Sequence, residues 1–563
     1  MALIDKASLL MVPSVYEDGT LYNVLPSGNK APDETGNHNG YDQTRADFTF
    51  SRGFNLAATR VNANGLIEKG RENVALNSND FDGVYWSIGN STITANATTS
   101  PNGTSDAYKI ESSSVGTETR VRQSISLTTG NVYTFSCYMK AGNVDWAIVR
   151  HYGISSNGRA WFNLATGTIG TQDSSLIDAQ IESVGDGWYR CSITGKITTT
   201  GAFDLAPAPK DNDYLSDAIG DYVFLWHSQA ELGLVSTPYI ETGATTATAG
   251  VLENTPRIDY SSGAGALLLE PQRTNLAITS EYAGGSGWFI SSGYSVSHNA
   301  AISPEGLQNA FELTIPSVNG NTRAIISVSP STEYTFSFYV KRGTATELKY
   351  SIFNLTNNSN IIAQTSYYSQ TSATEWKRIE VTFTTPAGCT SAGVYIDRDS
   401  QANGTAFFYG IQCEQGSYAT SYVPTYGSAA TRGADSITSG TITAPLSGGY
   451  TAFIEVETLS TSDYNQIQFR ETAANYVLRI GNQVNVGSGA LIQANTTGMN
   501  KFALQVSSGG AFELFKNGSS VGTGTGITHD IELIKTDLAG QNVKKIIIFN
   551  EALTDAECQT LTA

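Results

Sequence analysis

Tyr133-Thr134-Phe135-Ser136-Cys137-Tyr138-Met139-Lys140 returns later in the chain as Tyr334-Thr335-Phe336-Ser337-Phe338-Tyr339-Val340-Lys341. Each octet alternates. Tyr133, Phe135, Cys137 and Met139 fall on one face of an extended chain, and Thr134, Ser136, Tyr138 and Lys140 on the other. A period of two is that of a strand with one face buried. Other stretches are paired in the same order. Arg71-Glu72-Asn73-Val74-Ala75-Leu76-Asn77-Ser78 matches Arg273-Thr274-Asn275-Leu276-Ala277-Ile278-Thr279-Ser280. Trp188-Tyr189-Arg190 matches Trp376-Lys377-Arg378, and Gln229-Ala230-Glu231-Leu232-Gly233 matches Gln412-Cys413-Glu414-Gln415-Gly416. The spacing between partners shrinks along the chain, so the second copy has the shorter loops. A unit of roughly 170 residues is too long for a solenoid repeat and has the size of a domain. Short strands between Gly, Asn and Ser turns predict two packed antiparallel sheets per copy, a β-sandwich of the jelly-roll kind. The fold class is therefore all-β, with tandem sandwiches. Duplicated β modules usually present binding surfaces rather than build one active site.

The copies divide the rest of the chain. Residues 1–70 read as a lead-in, turn-rich at 26–30 and 36–40, with one alternating strand at 47–52. Residues 71–245 are the first copy, 246–272 a bridge, 273–432 the second copy, 433–447 a Ser/Thr/Gly-rich linker and 448–563 a last domain. Three junctions look alike: Thr59-Arg60-Val61-Asn62, Pro256-Arg257-Ile258-Asp259 and Thr431-Arg432-Gly433-Ala434-Asp435. An arginine there either pins one module to the next through a bidentate carboxylate contact or sits solvated in a turn. Helix is expected only at Thr554-Asp555-Ala556-Glu557. Thr554 is a natural N-cap there, and acidic residues in a first turn suit the helix dipole.

Composition narrows the function. Charged residues are 15% of 563, and the net charge is −18. Such a chain has no basic stripe to release phosphate counterions, which argues against nucleic acid. Its carboxylates remain available for calcium. The five cysteines lack CxxC spacing, which argues against zinc and a disulfide framework, and they read as core residues. Residues 1–14 carry Lys6 and only a short apolar run, less than a secretory h-region needs. No stretch approaches a membrane span, so membrane insertion is not expected. A chain of extracellular composition without an export signal points to a virion protein, which leaves its cell by lysis.

A sugar site needs flat aromatic faces and a few planar polar groups. Trp146-Ala147-Ile148-Val149-Arg150-His151-Tyr152 places Trp146, Ile148, Arg150 and Tyr152 on one face, and Trp161 follows after a turn. These form the candidate glycan platform. The competing reading puts Trp146 and Ile148 in the core and leaves Arg150 capping the sheet. Leu348-Lys349-Tyr350-Ser351-Ile352-Phe353 in the second copy lacks both tryptophans, so the first copy is the expected binder. Trp86 with Trp288, and Trp188 with Trp376, recur in both copies and read as packing. Catalysis finds no support in HExxH, a triad or GxSxG, so no enzyme is expected.

Arg71 to Ser78 followed by Trp86, and Arg273 to Ser280 followed by Trp288, resemble the opening of jelly-roll carbohydrate-binding modules. Leu267-Leu268-Leu269-Glu270-Pro271-Gln272-Arg273-Thr274-Asn275-Leu276 resembles a signature of tail-fibre, head-fibre and other structural proteins of tailed bacteriophages, and 58–68 belongs to the same signature. Leu514-Phe515-Lys516-Asn517-Gly518 and residues 546–557 resemble the hairpin and terminal strand of laminin-G/concanavalin-like sandwiches. In the resembled jelly rolls, acidic groups near the terminal strand hold a structural calcium. That implies Glu231 and Glu414, with Asp80 or Asp82 as partners, for an ion needing six to eight oxygens. No other cofactor is required. The resemblance implies a virion fibre, spike or capsid decoration that binds host cell-surface polysaccharide. Residues 1–70 would attach it to other virion proteins. A homo-oligomer is expected, commonly a trimer in fibres, since multivalency turns weak sugar affinity into avidity. The alternatives are a purely structural decoration protein, and a secreted bacterial adhesin or enzyme accessory module.

Overall fold

The computed structural model describes all residues except 1–2, 18–19, 24–46, 54–55, 156–157, 443, 462–465, 473–474, 488, 490 and 538–539. The turn-rich stretches at 26–30 and 36–40 lie outside the described residues.

Each copy is a sandwich of two antiparallel sheets. In the first, a front sheet runs in the order Thr168–Gln172, Arg159–Asn163, Trp146–His151, Gly201–Ala208, Arg120–Ile125, Ser87–Gly89. Its back sheet runs Leu176–Gly185, Trp188–Lys196, Val132–Ala141, Tyr222–Leu232, Ala107–Ser112, Ser91–Thr98. The second copy repeats this with a front sheet of Trp288–Ile290, Asn321–Ser327, Ser391–Arg398, Lys349–Asn354 and Ser359–Ser366. The repeated octets are internal strands of the two back sheets. Tyr133, Phe135, Cys137 and Met139 enter the first core, and Tyr334, Phe336, Phe338 and Val340 the second. All five cysteines are buried free thiols.

The division of the remaining chain is corrected by the pairing of its strands. Ala7–Glu17 lies between Thr20–Asn23 and Gln541–Phe549, with Leu9 opposite Ile548 and Met11 opposite Ile546. Phe48–Arg52 pairs with Asp435–Ser439, and Ala266–Leu269 with Gln541–Phe549. Leu9, Met11, Phe48, Phe50, Leu267, Leu269, Ile437 and Ile546 share one core. The lead-in 1–70, the bridge 246–272 and the linker 433–447 thus all contribute strands to the last domain. The physical reason is that alternation marks a strand without naming its partner. The two jelly rolls are insertions into this third sandwich. At its far end Asp555–Thr562 is a helix opened by a Thr554/Glu557 capping box. Lys6 Nζ, from the other end of the chain, lies 2.7 Å from Glu557 Oε1.

Five charged residues mark the crossings between the sandwich and its insertions. Arg52 ends a strand before the first copy, Arg257 stands where the chain returns and Glu270 where it leaves again. Arg432 stands at the second return, and Asp435 starts the next strand. All five are buried, Arg257 and Arg432 at 0% exposure. Glu270 Oε2 lies 2.8 Å from Arg257 Nη1 and 2.9 Å from Arg432 Nη1. Glu270 also accepts from Ser421 N at 2.7 Å and Ser421 Oγ at 2.6 Å. Arg257 forks onto Asp435, which Arg52 also meets at 3.4 Å. Burial alone would raise the Glu270 carboxyl, but Arg432 and Arg257 hold it at about 2. Two of the three junction arginines therefore pin modules together. Arg60 closes its own hairpin, 2.8 Å from Glu68, and its Nη1 also donates to Pro256 O at 3.5 Å.

The first core also encloses a histidine. His151 is fully buried and stacks on Phe135 with ring centroids 4.2 Å apart. Burial lowers its pKa to about 4, the nearby Asp204 charge opposing the shift. The unfolded chain takes up this proton near 6.5 and the folded chain only near 4, so stability is full above 6.5 and falls as pH drops through that window. The loss at pH 4 should be on the order of 3 kcal/mol. Unfolding midpoints measured against pH should show it, and His151→Gln should flatten that slope.

Candidate glycan-binding face

The front sheets turn one face to the core and the other outward. In the first copy the outward positions include Trp146, Ile148 and Arg150, as alternation requires. Across the strands, Trp161 stands opposite Ile148, Ile148 opposite Ala206, and Arg150 opposite Asp204. This face is covered. Residues 209–221 connect Gly201–Ala208 of this sheet to Tyr222–Leu232 of the back sheet and fold back over the face. Trp161 Nε1 donates to Asp213 O at 3.0 Å, and Thr171 N to Asp211 Oδ1 at 2.7 Å. Trp161 is 1% exposed and packs with Ile148, Ala206 and Ala208, with Trp146 partly buried beside them. Arg150 is 3% exposed and bound to Asp204 at 2.6 Å and to Glu118. Tyr152 lies under two guanidinium groups, Arg150 at 4.3 Å and Arg122 at 4.5 Å. The four residues expected to form the platform are thus neighbours, but loop and ion pairs occupy their faces. Trp161→Ala should destabilise the protein by about 3–5 kcal/mol in thermal or denaturant unfolding, the signature of a packing residue.

The second copy has the same sheet without the cover. Its corresponding connection is only residues 399–403, between Ser391–Arg398 and Gly404–Gln415. Phe289 stands opposite Arg323, Arg323 opposite Tyr395, and Tyr395 opposite Ser351. One row further along, Phe353 stands opposite Gly393. Arg323 lies 4.1 Å over Phe289 and 5.2 Å over Tyr395. Arg398 lies 4.8 Å over Phe353 and 4.9 Å over Tyr395. Gly393 makes this possible, because a Cβ there would come within 2.9 Å of Arg323 Cδ and 3.0 Å of Tyr395 Cε2. Phe289 is 41% exposed, and Phe353, Arg323 and Arg398 are partly exposed, whereas Tyr395, beneath both guanidinium groups, is buried. Three strand spacings separate Phe289 from Phe353, roughly 14 Å. The result is a shallow aromatic strip bearing two guanidinium groups.

No tryptophan marks this strip in the sequence. Its signals were the outward alternation of Arg323 with Ile325, of Gly393 with Tyr395, and of Ser351 with Phe353. Tyr367 is no part of it. It is fully buried, and its hydroxyl donates to Ile396 O at 2.7 Å. The recurring tryptophans use equivalent bonds. Trp188 Nε1 donates to Thr99 O at 3.1 Å and Trp376 Nε1 to Ile302 O at 3.0 Å.

The carboxylates named for calcium do not fit that ion. Glu231 is 2% exposed and accepts from Gln229 Nε2 at 2.7 Å, Thr237 N at 2.8 Å and Thr237 Oγ1 at 2.6 Å. Glu414 repeats this with Gln412 Nε2 at 2.6 Å, Thr420 N at 2.8 Å and Thr420 Oγ1 at 2.6 Å. Both carboxylates are thus taken up in closing a turn of their own copy. Asp80 and Asp82 lie together, and Asp80 Oδ1 accepts from Tyr108 at 3.2 Å. The hydrogen bond with Asp80 and partial burial raise the Asp82 carboxyl. Among the described residues, no group of three or more His, Cys, Asp or Glu is placed to hold a metal.

Comparison with known proteins points to the same copy. Residues 281–401 match the family described as a carbohydrate-binding domain, CBM_4_9. The match lies wholly within the second copy and includes all five strands of its front sheet. A stretch of 112 residues is 30% identical to the tRNA3(Ser)-specific nuclease WapA of Bacillus spizizenii and to the tRNA nuclease WapA of Bacillus subtilis. The chain spans 5% of the length of these relatives, which cover 19% of it. Among solved structures, the CBM22-1 xylan-binding domain of Paenibacillus barcinonensis Xyn10C is 14% identical over 27% of this chain and 97% of its own, with a TM-score of 0.20. The enzymatically active domain of tailspike protein 4 from bacteriophage CBA120 is 17% identical over 25% of this chain and 21% of its own, with a TM-score of 0.21.

Proposed function

We propose that this chain is a glycan-binding structural protein of a tailed-phage particle, and that the front face of its second jelly roll is the binding surface. The observation that carries the glycan reading is the coincidence of two independent facts. The carbohydrate-binding match falls on the copy whose aromatic sheet face is left open. Sugar rings would lie against the parts of Phe289 and Phe353 that the guanidinium groups over them leave exposed, and Arg323 and Arg398 would fix their polar groups. The buried first copy then acts as a rigid spacer, and the third sandwich holds both modules. The virion role rests on the resemblance of 58–68 and 267–276 to phage structural proteins. Assembly with other virion proteins and a homo-oligomeric state are part of the proposal.

Binding of the purified full chain to a glycan array and to whole bacterial cells tests the glycan role. Antibody labelling of intact particles tests the virion role. Saturable binding supports the first, and silence across all polysaccharides would favour a purely structural decoration protein. A second reading, an accessory module of a larger bacterial protein, is favoured by the 112-residue match to two Bacillus proteins of which this chain spans only 5%.

A further inference from the structure

The two front faces differ in how their arginines are partnered. In the first copy each arginine named on that face meets a carboxylate. Arg122 is bound to Asp204 at 2.7 Å, Arg150 to Asp204 at 2.6 Å, Arg120 to Glu118 at 3.1 Å, and Arg159 to Asp173 at 3.7 Å. In the second copy Arg323 meets no carboxylate among the described residues. Its Nη1 donates to Asn321 Oδ1 at 2.8 Å. Arg398 donates to Ser351 Oγ at 3.1 Å and Asn360 Oδ1 at 2.9 Å. Its nearest carboxylate, Asp399 Oδ2, is 3.9 Å from Nε and also accepts from Gln364 at 3.1 Å. A protein of net charge −18 thus keeps on this strip one guanidinium group, that of Arg323, with no carboxylate partner among the described residues, and a second, that of Arg398, whose single carboxylate contact is long, at 3.9 Å.

From this we infer that the ligand is an acidic polysaccharide whose sugars carry carboxylates, a polyuronate. The inference rests on the proposal that this face binds glycan, and it deepens that proposal. Arginine is suited to the task. Its planar fork pairs with a carboxylate through two parallel bonds while its flat side remains stacked on an aromatic ring. Arg323 over Phe289 and Arg398 over Phe353 are already held in that stacked pose, so little side-chain freedom is lost on binding. Sugar rings lie along the aromatic strip, and uronate groups meet the two forks.

The test uses the full chain and three soluble probes: polygalacturonate, its fully methyl-esterified form and neutral xylan. Affinity for polygalacturonate should exceed that for the ester by about tenfold or more, since esterification keeps the rings and removes the charges. Added salt should narrow the difference. Arg323→Gln and Arg398→Gln, each with an unchanged melting curve, should reduce polygalacturonate binding toward the level of the ester. Equal affinity for the acid and the ester would overturn the inference. If that shared binding is lost in Phe353→Ala, the glycan reading survives. Binding to none of the probes, nor to any glycan on the array, would overturn both.

Discussion

Replacing Phe289 and Phe353 together by alanine is expected to weaken glycan binding by roughly a hundredfold, about 2.7 kcal/mol, without moving the melting temperature. Each ring contributes stacking area at the edge of the strip, and neither fills the core between the sheets. Aromatic contacts of this kind are worth about 0.5–1.5 kcal/mol beyond burial, and their loss also frees the two arginines stacked on them. Trp146→Ala in the first copy should leave affinity unchanged. Its ring packs beside Trp161 and Ile148 beneath the 209–221 connection. Titration of each variant with the tightest-binding glycan from the array checks both statements. Loss of binding on replacing Trp146 would return the site to the first copy.

Glu270→Ala should destabilise the protein by about 3–5 kcal/mol, whereas Glu68→Ala should cost less than about 1 kcal/mol. The two glutamates occupy matching places, each closing the hairpin before a jelly roll. Their environments differ. Glu68 is 33% exposed and pairs with a single arginine. Glu270 is 2% exposed and compensates both Arg257 and Arg432. Its removal leaves buried positive charge where the chain crosses between sandwich and second insertion. Denaturant unfolding should show the loss, and it should affect the second jelly roll and the last sandwich together. Equal, small effects from both variants would contradict the role given to the junction.

The duplication and the sandwich of each copy were legible because their signals are local. The octet at 133–140 names its buried face by alternation alone. The helix start at Thr554 was legible for the same reason, since an N-cap and the acidic residues behind it lie within one turn. The third sandwich was not, because its pairs are remote: Leu9 meets Ile548 and Phe50 meets Ile437. A strand pattern carries no address for such a partner. The site was half legible. Alternation put Trp146, Arg150 and Tyr152 on one face, and the neighbouring strand sets Trp161 opposite Ile148. Tryptophan on an outward position does not by itself mark an open face, because the connection at 209–221 makes Trp161 a packing residue. In the second copy the strip is built from phenylalanine, tyrosine and a glycine, and its openness comes from a connection too short to cover it.

Hydrogen exchange of the full chain with and without bound glycan tests the central claim most directly. Added protection should map to residues 288–290, 321–327, 349–354 and 391–398, the four front-sheet strands that carry the strip. Protection confined to 146–163, or to the last sandwich, would contradict the account.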